Sequence, residues 1–136
     1  MVTKQTRQAV YNKYGGRCAY CGKELEYKDM QVDHIDPQRY YDDKKKADQM
    51  ENLNPACRRC NHYKRGNSLG GFRRLLKTLH QRVREIYICK VAEDYGVIKV
   101  EPWDGKFYYE RMPEEATEYT ITQALRILAE RAEVEN

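Results

Sequence analysis

The sequence predicts an α+β fold: a small metal-clamped first half, extended by a helix, a β-hairpin and a last helix. Three observations carry this. Two Cys-x-x-Cys pairs, Cys18 with Cys21 and Cys57 with Cys60, bracket a polar stretch of 35 residues. Apolar residues recur at helical spacing in several segments. A Trp103-Asp104-Gly105 turn separates two short runs, as in a hairpin.

Taken in order, residues 3–14 predict a helix with Ala9 and Val10 on one face, ended by Gly15-Gly16. Met30 to Ile35 predicts a short strand running into Pro37. Residues 38–51, with the DDKKK run at 42–46, predict an exposed loop. Order resumes at Asn52 to Pro55, and Ala56 to Arg65 predicts a helix opened by the second cysteine pair. Leu69, Phe72, Leu75, Leu76 and Leu79 predict an amphipathic helix over 69–80. Val83, Ile86, Tyr87, Val91 and Tyr95 predict another, stopped by Gly96. Val97–Glu101 and Lys106–Arg111 predict the hairpin strands, and residues 120–133 a final amphipathic helix. A length of 136 residues suits one module with an appendage, 1–80 and 81–136, the boundary falling near 80–85.

No run of about 18 apolar residues exists, which excludes a membrane-spanning helix. The first residues, MVTKQTRQAVYNKYGG, lack the apolar stretch of a secretory signal. A cytoplasmic location with reduced thiols is the expectation, and there five cysteines read as metal ligands before disulfides. Charge is uneven. Residues 1–75 hold 16 Lys and Arg against 9 Asp and Glu, whereas residues 76–136 hold 9 against 12. The basic half also holds four of the five cysteines and two of the three histidines. A localised positive field beside candidate chemistry points to a polyanionic substrate, although a solvated basic surface has the same composition.

Cys18, Cys21, Cys57 and Cys60 offer four thiolates, enough to close a tetrahedral zinc site. Such a site leaves no open position for water, so this zinc is expected to be structural. It would supply folding free energy that a polar half lacks. Cys89, on an apolar helix face, reads as a small buried side chain, and His80 as structural.

Between the pairs stands Val32-Asp33-His34-Ile35-Asp36-Pro37. A carboxylate is a hard ligand for Mg²⁺, and a neutral imidazole takes a proton from water near neutral pH. Asn52-Leu53 precedes the second pair, Asn61 follows Cys60 directly, and Lys64 and Arg65 come one turn later.

This succession resembles the HNH endonucleases, in particular their four-cysteine zinc branch. It runs through Cys18, Cys21, Asp33-His34-Ile35-Asp36-Pro37, Asn52-Leu53, Cys57, Cys60-Asn61 and Lys64, over roughly residues 14–66. Ser68-Leu69-Gly70-Gly71-Phe72-Arg73 looks more loosely like the tail of phage-type and bacterial members. The resemblance implies a ββα-metal, treble-clef-like core with a structural zinc. It implies His34 as general base, Asn52 as brace of the loop that orients it, and Asp33 and Asn61 as ligands of a catalytic Mg²⁺ or Mn²⁺. Asn61 stands where the family's literal motif has His, and an amide oxygen favours the harder ions. His62, one position later, is the alternative ligand. DNA is the implied substrate. Arg39, Arg58, Arg59, Lys64 and Arg65 are candidates for phosphate contact, and Tyr40-Tyr41 for stacking. Two other readings stand beside this one: a non-catalytic zinc-finger module that binds nucleic acid, and an adaptor for a phage packaging or restriction partner.

Overall fold

The computed structural model describes residues 2–112, 122, 125, 126 and 128–130. Helix α1 spans Lys4–Asn12, with the Thr3 hydroxyl accepting from Thr6 N–H at its start. It buries Ala9 and Val10 and stops where Gly15 and Gly16 take positive φ. Strand β1 (Gln31–His34) pairs antiparallel with β2 (Leu53–Ala56), so that Gln31 faces Ala56 and His34 faces Leu53. Helix α2 is a single turn, Lys44–Ala47, lying between the strands in sequence. Helix α3 (Arg58–Lys64) follows β2 directly, so the described core reads strand, strand, helix. Ala9, Val10, Met30, Met50 and Leu53 form the buried cluster, with Tyr11, Leu25, Val32 and Leu128 packed on it.

Residues 38–51 depart from the exposed loop expected of them. They hold α2 and two 3-10 turns, Gln38–Tyr40 and Met50–Asn52. Ala47 and Met50 are buried, and two apolar anchors are enough to fold a polar run onto the core. Lys13 also ties this segment down. Its buried ammonium donates to the carbonyls of Met50 (2.9 Å) and Leu53 (2.7 Å).

Packing divides the chain into two units: the residues up to Ser68 with those from Phe107 onward, and Leu69–Lys106. The second unit holds α4 (Leu69–Lys77), α5 (Leu79–Arg84) and α6 (Tyr87–Asp94). The helix expected over 69–80 therefore breaks at Thr78, and Val83 belongs to α5 because Ile86 is extended (φ −82°, ψ 123°) ahead of α6. On α6, Tyr87 and Ile88 are exposed and Cys89 is only half-buried, not buried as expected.

The expected hairpin is absent. Among the described residues the strands are β1 and β2 alone, and Tyr108–Arg111 is a 3-10 turn. The N–H groups of the supposed second strand go elsewhere. Lys106 donates to Asp104 Oδ1 and Phe107 to Glu110 Oε1, while Tyr108 and Tyr109 donate to the carbonyls of Tyr20 and Ala19. Pro102 has no N–H to give. The last helix expected over 120–133 lies partly outside the described residues; residues 122, 125, 126 and 128–130 of it are helical. No described helix is long and apolar enough to cross a membrane.

Candidate metal centre and nuclease-type site

The four cysteines converge. Their Sγ atoms all lie within 4.8 Å of one another, and Cys21 Sγ is 3.9 Å from Cys57 Sγ. A tetrahedral zinc with bonds of about 2.3 Å needs sulfur–sulfur edges of about 3.8 Å. The donor set therefore fits zinc. One contact joins the two segments and another shapes the second pair. Ala19 N–H donates to Pro55 O (2.8 Å), which fastens the first knuckle to β2. Cys57 caps α3, its Sγ accepting from Cys60 N–H (3.3 Å). Gly22 turns the first knuckle at φ +80°, and a Cβ there would lie 2.8 Å from the Tyr108 ring, so both conformation and space require glycine.

The crowding of the four sulfurs also sets their protonation. A hydrogen bond from Cys60 holds the Cys18 thiol down to about 4. Cys60, which makes that hydrogen bond, is pushed up, and Cys21 is pushed up by burial first and by its thiolate neighbours after. Crowded sulfurs ionise together only when a cation neutralises them.

Asp33 and His34 sit at the end of β1 and face opposite ways, as neighbours on a strand do. Asp33 is buried, accepting from the Tyr20 hydroxyl and from Lys64 Nζ at 3.2 Å. Burial raises its carboxyl above the ordinary range, while Tyr20 and Lys64 pull it back. His34 is half-buried, with Nε2 2.7 Å from Asp48 Oδ1 and 3.3 Å from Gln38 Nε2.

Asn52 laces the surrounding segments together. Its Oδ1 accepts from Asp36 N–H (2.9 Å), and its Nδ2 donates to Asp36 O (3.0 Å) and Ala47 O (2.8 Å). Its carbonyl accepts from Ile35 N–H (2.8 Å). The residue just after His34 and the residue just before Asp48 thus hang on one asparagine.

Asn61 Nδ2 donates to Gln31 Oε1 at 2.6 Å. Gln31 and Asp33 share a face of β1 by alternation, and α3 crosses that face with Asn61 on Gln31 and Lys64 on Asp33. Asp33 and Asn61 are hard oxygen donors of the kind Mg²⁺ or Mn²⁺ takes, and no hydrogen bond among the described residues engages Asn61 Oδ1. Their donor chemistry fits such an ion, with Asp33 now shared by Tyr20 and Lys64.

The basic candidates separate. Lys64 is not available to a phosphate: it is 1% exposed and donates to Asp33, His34 O and Asn67 O. Nothing in the residue pattern marks a lysine one turn past the knuckle as folding inward. Arg39, Arg58, Arg59 and Arg65 are exposed, Arg39 lying over the Tyr40 ring at 4.9 Å. Arg58 and Arg59, with Lys23, Lys28 and His62, line a cleft of about 790 Å³ that also reaches Gln31 and Cys57. Lys23, Lys28, Asp48 and Gln38 were passed over in the sequence. The first two carry no motif, and the others act only through the fold of residues 38–51.

Residues 18–66 match the family model for HNH endonuclease. This segment is an HNH domain of mixed α and β content, carrying a four-cysteine cluster compatible with zinc. The match takes in the knuckles, Asp33-His34, Asn52 and Asn61, and points to work on nucleic acid. No curated protein and no solved structure matches the chain.

Proposed function

We propose that this protein is a metal-dependent endonuclease that hydrolyses DNA phosphodiester bonds with His34 as general base. The observation that carries the reading is the setting of His34 within the HNH segment. Asp48 engages one ring nitrogen, Asn52 braces the adjoining loop, and the side chain still reaches solvent. His34 takes the proton of an attacking water. The water oxygen bonds to phosphorus, the bond to the 3′ oxygen breaks, and that oxygen leaves as a hydroxyl, giving a 5′ phosphate. Asp33 and Asn61 would hold a Mg²⁺ or Mn²⁺ ion, which supplies charge stabilisation at the phosphate and the leaving oxygen. Cys18, Cys21, Cys57 and Cys60 would hold a structural zinc that ties the first knuckle to the start of α3 and takes no part in the chemistry. The cleft beside Gln31 suits a phosphate backbone, since Lys23, Lys28, Arg58 and Arg59 line it against the two carboxylates of Glu24 and Asp29.

A second reading, a zinc module that binds nucleic acid without cutting it, is favoured by one observation. Asp33 is already spent on Lys64 and Tyr20. Supercoiled plasmid separates the two. Nicking with Mg²⁺ or Mn²⁺ that EDTA stops and His34→Ala abolishes supports the nuclease. Tight DNA binding with no cleavage under either metal supports the binding module.

A further inference from the structure

We propose that Asp48 is a positioning residue that fixes the tautomer of His34, holding the proton on Nε2 and leaving Nδ1 as the atom that receives a proton from water. This rests on the nuclease reading in which His34 is the base.

At 2.7 Å, His34 Nε2 and Asp48 Oδ1 are closer than two lone pairs tolerate, so one of them donates. An aspartate carboxyl is ionised at neutral pH, and an ionised carboxylate can only accept. The donor is therefore Nε2–H. Gln38 Nε2, which only donates, stands farther from the ring nitrogen at 3.3 Å, and with Nε2 of His34 protonated its N–H goes to Asp48 Oδ1 at 3.5 Å. One proton on a neutral imidazole leaves the other nitrogen basic. No hydrogen bond among the described residues engages Nδ1.

The partners are held independently of each other's charge. Asp48 ends α2, its N–H donating to Lys44 O (3.2 Å), on a turn anchored by fully buried Ala47. Ala47 O accepts from Asn52 Nδ2, and the same amide grips Asp36. Asn52 therefore sets the spacing of the pair, and Asp48 sets the ring.

The test uses the full chain with zinc bound. Long-range proton–nitrogen NMR reads the His34 tautomer at a pH where the ring is neutral, in wild type, Asp48→Ala and Asp48→Glu. Plasmid cleavage gives kcat and KM for each. Expected are a single Nε2–H form in wild type and a mixture in Asp48→Ala. Cleavage by Asp48→Ala should show kcat lower by about tenfold or more with KM within about twofold, and Asp48→Glu should recover part of the loss. An unchanged tautomer or an unchanged kcat in Asp48→Ala overturns the proposal while leaving the nuclease reading standing. A tautomer fixed by Asp48, in a wild-type protein that cuts no DNA with either metal, upholds the pairing and overturns the nuclease reading.

Discussion

Lys64 Nζ lies 3.2 Å from Asp33 Oδ2, with both side chains closed off from solvent. Removing one partner of such a pair leaves a buried charge without its counter-ion, a loss of about 3–5 kcal/mol. Lys64→Met should therefore lower unfolding stability by that amount in denaturant titrations. Arg58→Ala, an exposed residue at the other end of α3, should change it by less than about 0.5 kcal/mol. Equal small effects would show that Lys64 does not hold the Asp33 carboxylate.

Arg65, at the end of α3, has φ +53° and ψ −133°, a conformation that side chains rarely adopt. Strain of this kind costs about 1–3 kcal/mol, partly offset in a glycine variant by the freer unfolded chain. Arg65→Gly should stabilise the fold by about 1 kcal/mol, read as a rise in Tm. A fall in Tm would show that the Arg65 side chain contributes more than its backbone loses.

Burial holds Lys13 down to about 8 from 10.5. The sign follows from proton counts. Between pH 8 and 10.5 the unfolded chain keeps a proton that the folded chain has released, so stability rises with pH across this window. The full gap corresponds to about 3 kcal/mol at most. Urea midpoints from pH 7.5 to 10.5 should rise in wild type and stay flatter in Lys13→Met. An identical profile in the two would show that Lys13 is not the group responsible.

Cys57 belongs to the four-cysteine cluster and caps the start of α3 at once. Cys57→Ser should lower zinc content and Tm together, and chelation of the wild type should produce the same loss. A full equivalent of zinc in the variant would contradict the four-sulfur clamp.

The four-cysteine cluster was legible because it is written in local spacing: two-residue spacers fix the knuckles. That Asp33 and His34 face apart on β1 follows only once the strand is seen. Residues 38–51 were not legible. Their composition is that of a solvated loop, and only the depth of Ala47 and Met50, a tertiary fact, turns them into the support for Asp48. Lys64 misled for the same reason, since a lysine pattern carries no sign of a buried carboxylate three-dimensionally opposite. The hairpin failed at Trp103-Asp104-Gly105. The turn is real, with Gly105 at φ +89°, but the N–H groups after it bond to the first knuckle and to Glu110 in place of a partner strand.

The central claim is that His34 removes the proton of the attacking water. Single-turnover cleavage of an end-labelled DNA duplex with Mn²⁺ tests it most directly, comparing wild type with His34→Ala at equal zinc content and equal DNA binding. The account expects products with 5′ phosphates and a rate at least about a hundredfold lower in the variant. Equal rates in the two proteins would contradict it.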